Sequence, residues 1–165
     1  MTQKISEIDP ANASKYRKNF STFKEKISLA SKIIAERLRK LSNTNYVFYH
    51  DGFQYFEDYF SLKPLMVVTY ESDAELTVKQ LRAFDKLAKQ QQIKCIFGDP
   101  QDEKNSALKL AKNYKIKFSI LDLIGLKDDY GKKSSGFEAL LFNIESDLTS
   151  CLNNESVKAR GFEIF

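Results

Sequence analysis

One histidine and three aspartates stand where they could bind a divalent metal ion. His50 and Asp51 follow a β-branched and aromatic run, and Asp99 and Asp122 each follow a later run of the same kind. Neutral imidazole and carboxylate oxygens are good zinc ligands. Each residue also has a structural interpretation. An aspartate after a strand is often the N-cap of the next helix, which we favour for Asp51 and Asp99, and a lone histidine is more often structural than a ligand.

The segments around these residues alternate between strand and helix patterns. Runs rich in β-branched and aromatic residues predict strands at 46–49, 65–70, 93–97 and 117–121. Apolar residues at helical spacing predict helices at 53–60, 77–92, 105–114 and 137–152. The alternation predicts an α/β fold, one βαβ-type lobe with a mainly parallel four-stranded sheet flanked by helices. In such sheets ligands bind beyond the carboxyl ends of the strands.

A long helix precedes this lobe in the sequence. Asp9 suits an N-cap, and Pro10 suits the first helical position because it has no N–H to leave unpaired. Apolar residues then recur at helical spacing as far as about Leu41. A helix of about thirty residues is ~45 Å long and commonly bridges two bodies. The polar segment 127–136 is predicted to be a mobile loop.

The composition excludes several classes of protein. With 165 residues, 42% hydrophobic and 29% charged, the chain suits one packed domain. Its longest apolar stretches, such as 64–68, are too short to span a membrane, and Met1–Glu7 lacks the apolar core of a signal peptide. The net charge of +4 is spread along the chain, so we expect no nucleic acid partner. One histidine and two cysteines cannot form a zinc finger.

Five segments, in order along the chain, carry a pattern that points to one family. They are Ile8-Asp-Pro-Ala-Asn-Ala-Ser-Lys-Tyr16, Val47-Phe-Tyr-His50-Asp-Gly-Phe-Gln-Tyr-Phe-Glu57, Cys95-Ile-Phe-Gly-Asp-Pro-Gln101, Leu121-Asp122-Leu-Ile-Gly125 and Ser150-Cys-Leu152. They resemble the segments "DP.NA..Y", "FHDAYGYFE", "CVFAEPQ", "LDPLG" and a closing "CL" of the periplasmic zinc-binding (solute-binding) proteins of zinc ABC transporters, the ZnuA-like family.

The resemblance implies a fold of two α/β lobes joined by a long helix, with the metal ion held between the lobes. It covers a bridging helix, expected at 1–42, and a C-terminal metal-binding lobe, expected at 43–153. A tail is left at 154–165. The N-terminal lobe of the family, which supplies further histidine ligands, has no counterpart in this sequence.

The resemblance also implies that His50 and Asp122 are the metal ligands of this lobe. The ion is expected to be zinc, and manganese less so, because imidazole suits zinc and carboxylates suit manganese. Catalytic zinc sites use three protein ligands and structural sites four, so two ligands make half a site. We therefore expect that this chain alone does not bind zinc tightly.

The implied partners are the ABC permease in the membrane and either the missing N-terminal lobe or a second copy of the chain. The implied location is the periplasm, although a chain made as written, without a signal peptide, would stay in the cytoplasm. The resemblance further implies a disulfide between Cys95 and Cys151. On the sequence alone, both cysteines are read as inert buried thiols.

Two other functions stay open. The chain could be a truncated relic without transport activity, in which the exposed apolar side of the helix at 16–41 drives self-association. It could also be a small α/β enzyme with Cys95 as nucleophile and His50 as base, although nothing in the spacing requires the two to meet. We expect a protein that is not an enzyme.

Overall fold

The computed structural model describes residues 1–70, 76–100, 106–125 and 136–153. The helices are α1 (Thr2–Ile8), α2 (Ala13–Arg39), α3 (Gln54–Phe60), α4 (Val78–Gln90), α5 (Ser106–Tyr114) and α6 (Phe137–Leu152), with a 3-10 turn at Pro10–Asn12. The strands are β1 (Tyr46–His50), β2 (Val67–Thr69), β3 (Cys95–Gly98) and β4 (Lys117–Ile120). No helix in these ranges is long and apolar enough to cross a bilayer. The predicted loop at 127–136, except Gly136, and the tail at 154–165 lie outside the described residues.

The four strands form one parallel sheet in the order β2-β1-β3-β4. Phe48 of β1 lies opposite Val67 on one side and Phe97 on the other, and Gly98 lies opposite Ile120. The strands therefore end at one shared edge. This confirms the predicted fold class, an α/β lobe with a parallel four-stranded sheet that follows a long N-terminal helix.

Both faces of the sheet are buried, which is typical of parallel sheets and explains the continuous apolar runs in the strands. Successive side chains of a strand point to opposite faces. Tyr46 and Phe48 therefore belong to one core, which they share with residues of α2 and α6. Val47 and Tyr49 belong to the other core, which they share with residues of α4 and α5.

The N-terminal helical region differs in detail from the prediction. A separate helix, α1, precedes Asp9, and the carboxylate of Asp9 does not cap backbone N–H groups. It accepts hydrogen bonds from the side chains of Asn12 (2.8 Å) and Tyr16 (2.7 Å) instead. Asp9 is the N-cap residue of the 3-10 turn and Pro10 its first residue, as predicted, but the expected capping bond from the Asp9 side chain is not formed. The helix also ends at Arg39, because the last turn tightens: the N–H of Leu41 donates to the carbonyl oxygen of Leu38.

Helix α4 has nearly its predicted bounds, whereas strand β2 is shorter than predicted. The predicted helix at 77–92 is α4, which begins after Thr77 because the side chains of Thr77 and Gln80 form a reciprocal capping box. The predicted strand at 65–70 shortens to Val67–Thr69. Among the described strands it lies at an edge of the sheet and pairs only with β1, so fewer of its residues are held in strand geometry.

Candidate metal site

His50 ends β1, one of the two inner strands, and its ring lies at the carboxyl edge of the sheet. Its Nδ1 atom is 3.2 Å from Oδ2 of Asp99, the residue directly after β3. The side chain of His50 is 22% exposed and that of Asp99 is 13% exposed. The imidazole is therefore not sealed inside the core. It is held at the sheet edge against a mostly buried carboxylate.

The N-cap prediction for Asp51 is wrong. The residue before α3 is Phe53, and no side chain caps this helix. Phe53 is buried and stacks on Phe48 with ring centroids 4.6 Å apart, so packing rather than capping fixes the start of α3. Asp99 contacts His50, while its role as a helix cap stays a prediction because residues 101–105 lie outside the described ranges.

Asp122 follows β4 by two residues and is buried, with 4% of its surface exposed. Its Oδ1 atom accepts hydrogen bonds from the backbone N–H groups of Ile124 (3.2 Å) and Gly125 (2.8 Å). These bonds close an Asx-type turn, which holds the carboxylate at the end of the fourth strand.

Gly52 lies between the His50 ring and the turn that carries Asp122. A Cβ atom added at Gly52 would stand 3.4 Å from Nδ1 of His50 and 3.1 Å from Cδ1 of Leu123. The turn after β1 therefore packs closely against both the histidine and the residue next to Asp122. The two predicted ligands belong to neighbouring loops at one edge of the sheet.

The donor atoms at this edge do not add up to a full metal site. Across residues 1–70, 76–100, 106–125 and 136–153, no group of three or more histidine, cysteine, aspartate or glutamate side chains could hold a metal ion. His50 and Asp122 stay predicted ligands. What this edge can offer chemically is the imidazole of His50 and the carboxylates of Asp99 and Asp122.

Glu57 of α3 is a titratable group that the sequence interpretation did not single out. Its Oε1 atom is buried without a hydrogen-bond partner. Burial, together with the negative charges of Asp51 and Asp58, raises the pKa of Glu57 to about 7. The sequence gives no local signal for this shift, because it depends on how α3 packs against the core.

Cys95 of β3 and Cys151 of α6 are joined by a disulfide, with their Cα atoms 6.1 Å apart. Both residues are buried. This confirms the pairing that the resemblance implies. It also contradicts the hypothesis of a Cys95 nucleophile, because the sulfur is bonded and no thiol is present to be activated.

Comparison with known proteins places the chain in a family. The sequence model of the family described as "Zinc-uptake complex component A periplasmic" matches residues 1–144. The chain belongs to this ZnuA family. The resemblance found in the five sequence segments is therefore confirmed, and the family is one of transport components.

Individual members show how much of a ZnuA protein the chain corresponds to. The high-affinity zinc uptake system protein ZnuA of Brucella suis is 24% identical over 149 residues, which cover 90% of this chain and 44% of that protein. A zinc-bound mutant variant of AdcAII from Streptococcus pneumoniae matches at a TM-score of 0.71 and 25% identity, over 92% of this chain and 55% of that one. The metal-dependent lipoprotein YcdH from Bacillus subtilis matches at a TM-score of 0.72 and 23% identity, over 92% of this chain and 58% of that one. The chain spans about half the length of these proteins.

Proposed function

We propose that this chain acts in zinc uptake as the C-terminal, metal-binding lobe of a periplasmic solute-binding protein. His50 and Asp122 supply ligands from one side of a cleft, and a second body supplies the others. The observation that carries the proposal is the place of His50, which ends an inner strand at the carboxyl edge of the sheet in a chain of the ZnuA family. The same surface would deliver the ion to an ABC permease in the membrane.

The geometry supports a half-site rather than a complete one. Among the described residues, no group of three or more histidine, cysteine, aspartate or glutamate side chains could hold a metal ion. Because each tenfold in affinity corresponds to ~1.4 kcal/mol, the loss of two strong ligands lowers the affinity by many tenfolds. Tight capture then requires ligands from a partner, either an N-terminal lobe or a second copy of this chain. Imidazole favours zinc over manganese as the cargo.

Calorimetric titration of the chain with zinc tests this proposal. We expect weak one-to-one binding that His50→Ala abolishes. Asp122→Asn should weaken binding as well, because the variant loses the negative charge. It keeps an oxygen that can accept from the N–H groups of Ile124 and Gly125, so the turn is preserved. Asp85→Asn is a matched control, since Asp85 lies on α4 and pairs with Lys89 there.

Two results of this titration would contradict the proposal. If zinc bound equally well to His50→Ala and to the parent chain, His50 would not be a ligand. If the parent chain bound zinc tightly without a partner, the half-site interpretation would be wrong.

A second candidate function is self-association without transport activity, and the surface of α2 favours it. The helix is buried only from Ala30 onward, whereas Phe20, Phe23 and Leu29 of its first part are 52%, 48% and 62% exposed. The apolar side of the helix predicted at 16–41 is therefore split into a packed half and an exposed half. Sedimentation analysis over a range of concentrations tests this candidate. A dimer that Phe20→Ser and Phe23→Ser dissociate would support it, and a monomer at all concentrations would contradict it.

A further inference from the structure

The sheet itself brings His50 and Asp99 together. Phe48 and Phe97 are direct partners in the pairing of β1 with β3, and His50 and Asp99 each stand two residues further along. Residues two apart on a strand share a face. The contact of 3.2 Å between Nδ1 and Oδ2 therefore follows from the register of two inner strands and not from a chance meeting of surface side chains.

This contact determines which ring nitrogen is available. An ionised carboxylate can only accept hydrogen bonds, so a neutral imidazole that bonds to it through Nδ1 must carry its proton on that atom. The Nε2 atom then keeps its lone pair. Across the described residues, no hydrogen bond of the His50 ring other than the one to Asp99 is present.

Gly52 lies near the same side of the ring. An added Cβ at Gly52 would stand 3.4 Å from Nδ1 and 3.7 Å from Cε1 of His50. A side chain at position 52 would therefore contact the edge of the ring that faces Asp99. The imidazole is held by the hydrogen bond between its Nδ1 atom and Asp99.

We propose that Asp99 is a positioning residue for zinc capture, which holds the proton of neutral His50 on Nδ1 and leaves Nε2 as the nitrogen that binds the ion. Metal-binding histidines usually donate their second ring N–H to a carboxylate or carbonyl oxygen, which fixes the tautomer and the ring orientation. Asp99 fills this role here. The role of Nε2 rests on the proposed function, whereas the position of the proton does not.

The chain allows a direct test, because His50 is its only histidine and its ring signals need no assignment. We use long-range ¹H–¹⁵N spectra of the full chain at alkaline pH, where an ordinary imidazole is neutral. The expected spectrum of the parent shows a protonated Nδ1 and an unprotonated Nε2. Asp99→Ala should give the averaged signals of two exchanging tautomers, and Asp99→Glu, which keeps the carboxylate, should restore the parent pattern.

Zinc titration followed by the same ring signals gives the second readout. Zinc should shift the Nε2 signal, and Asp99→Ala should weaken the binding by about 10- to 100-fold, as is typical when such a partner is lost. Asp85→Asn should leave both the tautomer and the binding unchanged. Amide spectra of each variant establish that the fold is intact.

The outcomes separate the two proposals. An unprotonated Nδ1 in the parent, or a pattern that Asp99→Ala leaves unchanged in a folded chain, would overturn the role of Asp99. A parent chain with the expected tautomer that takes up no zinc would overturn the zinc-binding function and leave the positioning of His50 by Asp99 supported.

Discussion

Arg37 of α2 donates a 3.0 Å hydrogen bond to the carboxylate of Glu145, which is buried within α6. The hydroxyl of Thr149, one turn further on, donates to the other oxygen of the same carboxylate at 3.0 Å. The guanidinium carbon of Arg37 also lies 5.9 Å from the centre of the Phe142 ring. Arg37 therefore links α2 to α6 through an ion pair with Glu145 and a cation–π contact with Phe142.

Arg37→Ala should destabilise the fold, because it removes the cation that faces a buried carboxylate. Leaving a buried charged group without this partner costs about 1–3 kcal/mol, and denaturant unfolding measures the loss. Lys26→Ala is the matched control on the same helix. Lys26 and Glu138 are 3.9 Å apart and both partly exposed, so the expected loss is below about 0.5 kcal/mol. Equal losses in the two variants would contradict the prediction.

The disulfide should contribute more than any single polar contact. Cys95 and Cys151 are separated by 56 positions, and closing a loop of this size stabilises a chain by about 4 kcal/mol in the chain-entropy treatment. We expect reduction, or the double variant Cys95→Ala and Cys151→Ala, to lower the free energy of unfolding by about 2–4 kcal/mol. Urea unfolding with and without reductant measures this. The double variant should not respond to reductant, and a parent chain that also fails to respond would count against the prediction.

Phe53 should anchor the turn that follows His50. Its side chain is 1% exposed and stacks on Phe48, so Phe53→Ala should cost about 3–5 kcal/mol in unfolding free energy. Phe53→Leu keeps most of the volume and should cost less. Tyr55 lies on the same helix but is 85% exposed, and Tyr55→Ala should change stability by less than about 0.5 kcal/mol. A similar cost for Phe53→Ala and Tyr55→Ala would show that the turn is held in another way.

Glu57 should make the fold less stable as the pH rises. Its pKa is raised in the folded state from the ordinary value of 4.5 to about 7, mainly by burial and then by Asp51 and Asp58. Between these two pKa values the folded state binds more protons than the unfolded state. The stabilising contribution of this group is therefore complete below the unfolded pKa and is lost as the pH rises through the folded pKa.

Glu57→Gln tests this pH dependence, because the amide stays neutral. Between about pH 5 and about pH 8, the free energy of unfolding of the parent should fall by on the order of 1 kcal/mol more than that of Glu57→Gln. This figure allows for solvent screening around a partly exposed group. Glu25→Gln, on the exposed face of α2, should behave like the parent. Unfolding curves at the two pH values measure the difference, and parallel losses in the parent and in Glu57→Gln would refute the role of Glu57.

The elements of the fold could be predicted from the sequence because their signals are local. The apolar spacing at 137–152 gives the bounds of α6 as they stand in the structure, and Thr77 marks the start of α4 through its capping box. The start of the chain could not be predicted in the same way. Asp9 and Pro10 begin a 3-10 turn, as their signal predicts, but a separate helix, α1, precedes them, and the carboxylate of Asp9 accepts hydrogen bonds from the side chains of Asn12 and Tyr16.

The candidate site could be predicted only in part. The sequence places His50, Asp99 and Asp122 at strand ends, but it does not say which strands are neighbours. The contact between His50 and Asp99 depends on β1 lying beside β3, which is a property of the whole sheet. The pairing of Cys95 with Cys151 came from the resemblance alone, because helical and strand spacing leave it open. The raised pKa of Glu57 depends on how α3 packs against the core, which no local sequence pattern predicts.

The strand order also determines how the candidate site can open. His50 ends β1 and Asp99 directly follows β3, the two inner strands, each of which is hydrogen-bonded on both sides, whereas β2 and β4 each have one neighbour in the part of the chain that the structure describes. Fluctuations that detach an outer strand leave the inner pair joined. Amide protons of Val47 and Ile96 should accordingly exchange with solvent more slowly than those of the outer strands, and the imidazole keeps its partner until the lobe unfolds as a whole.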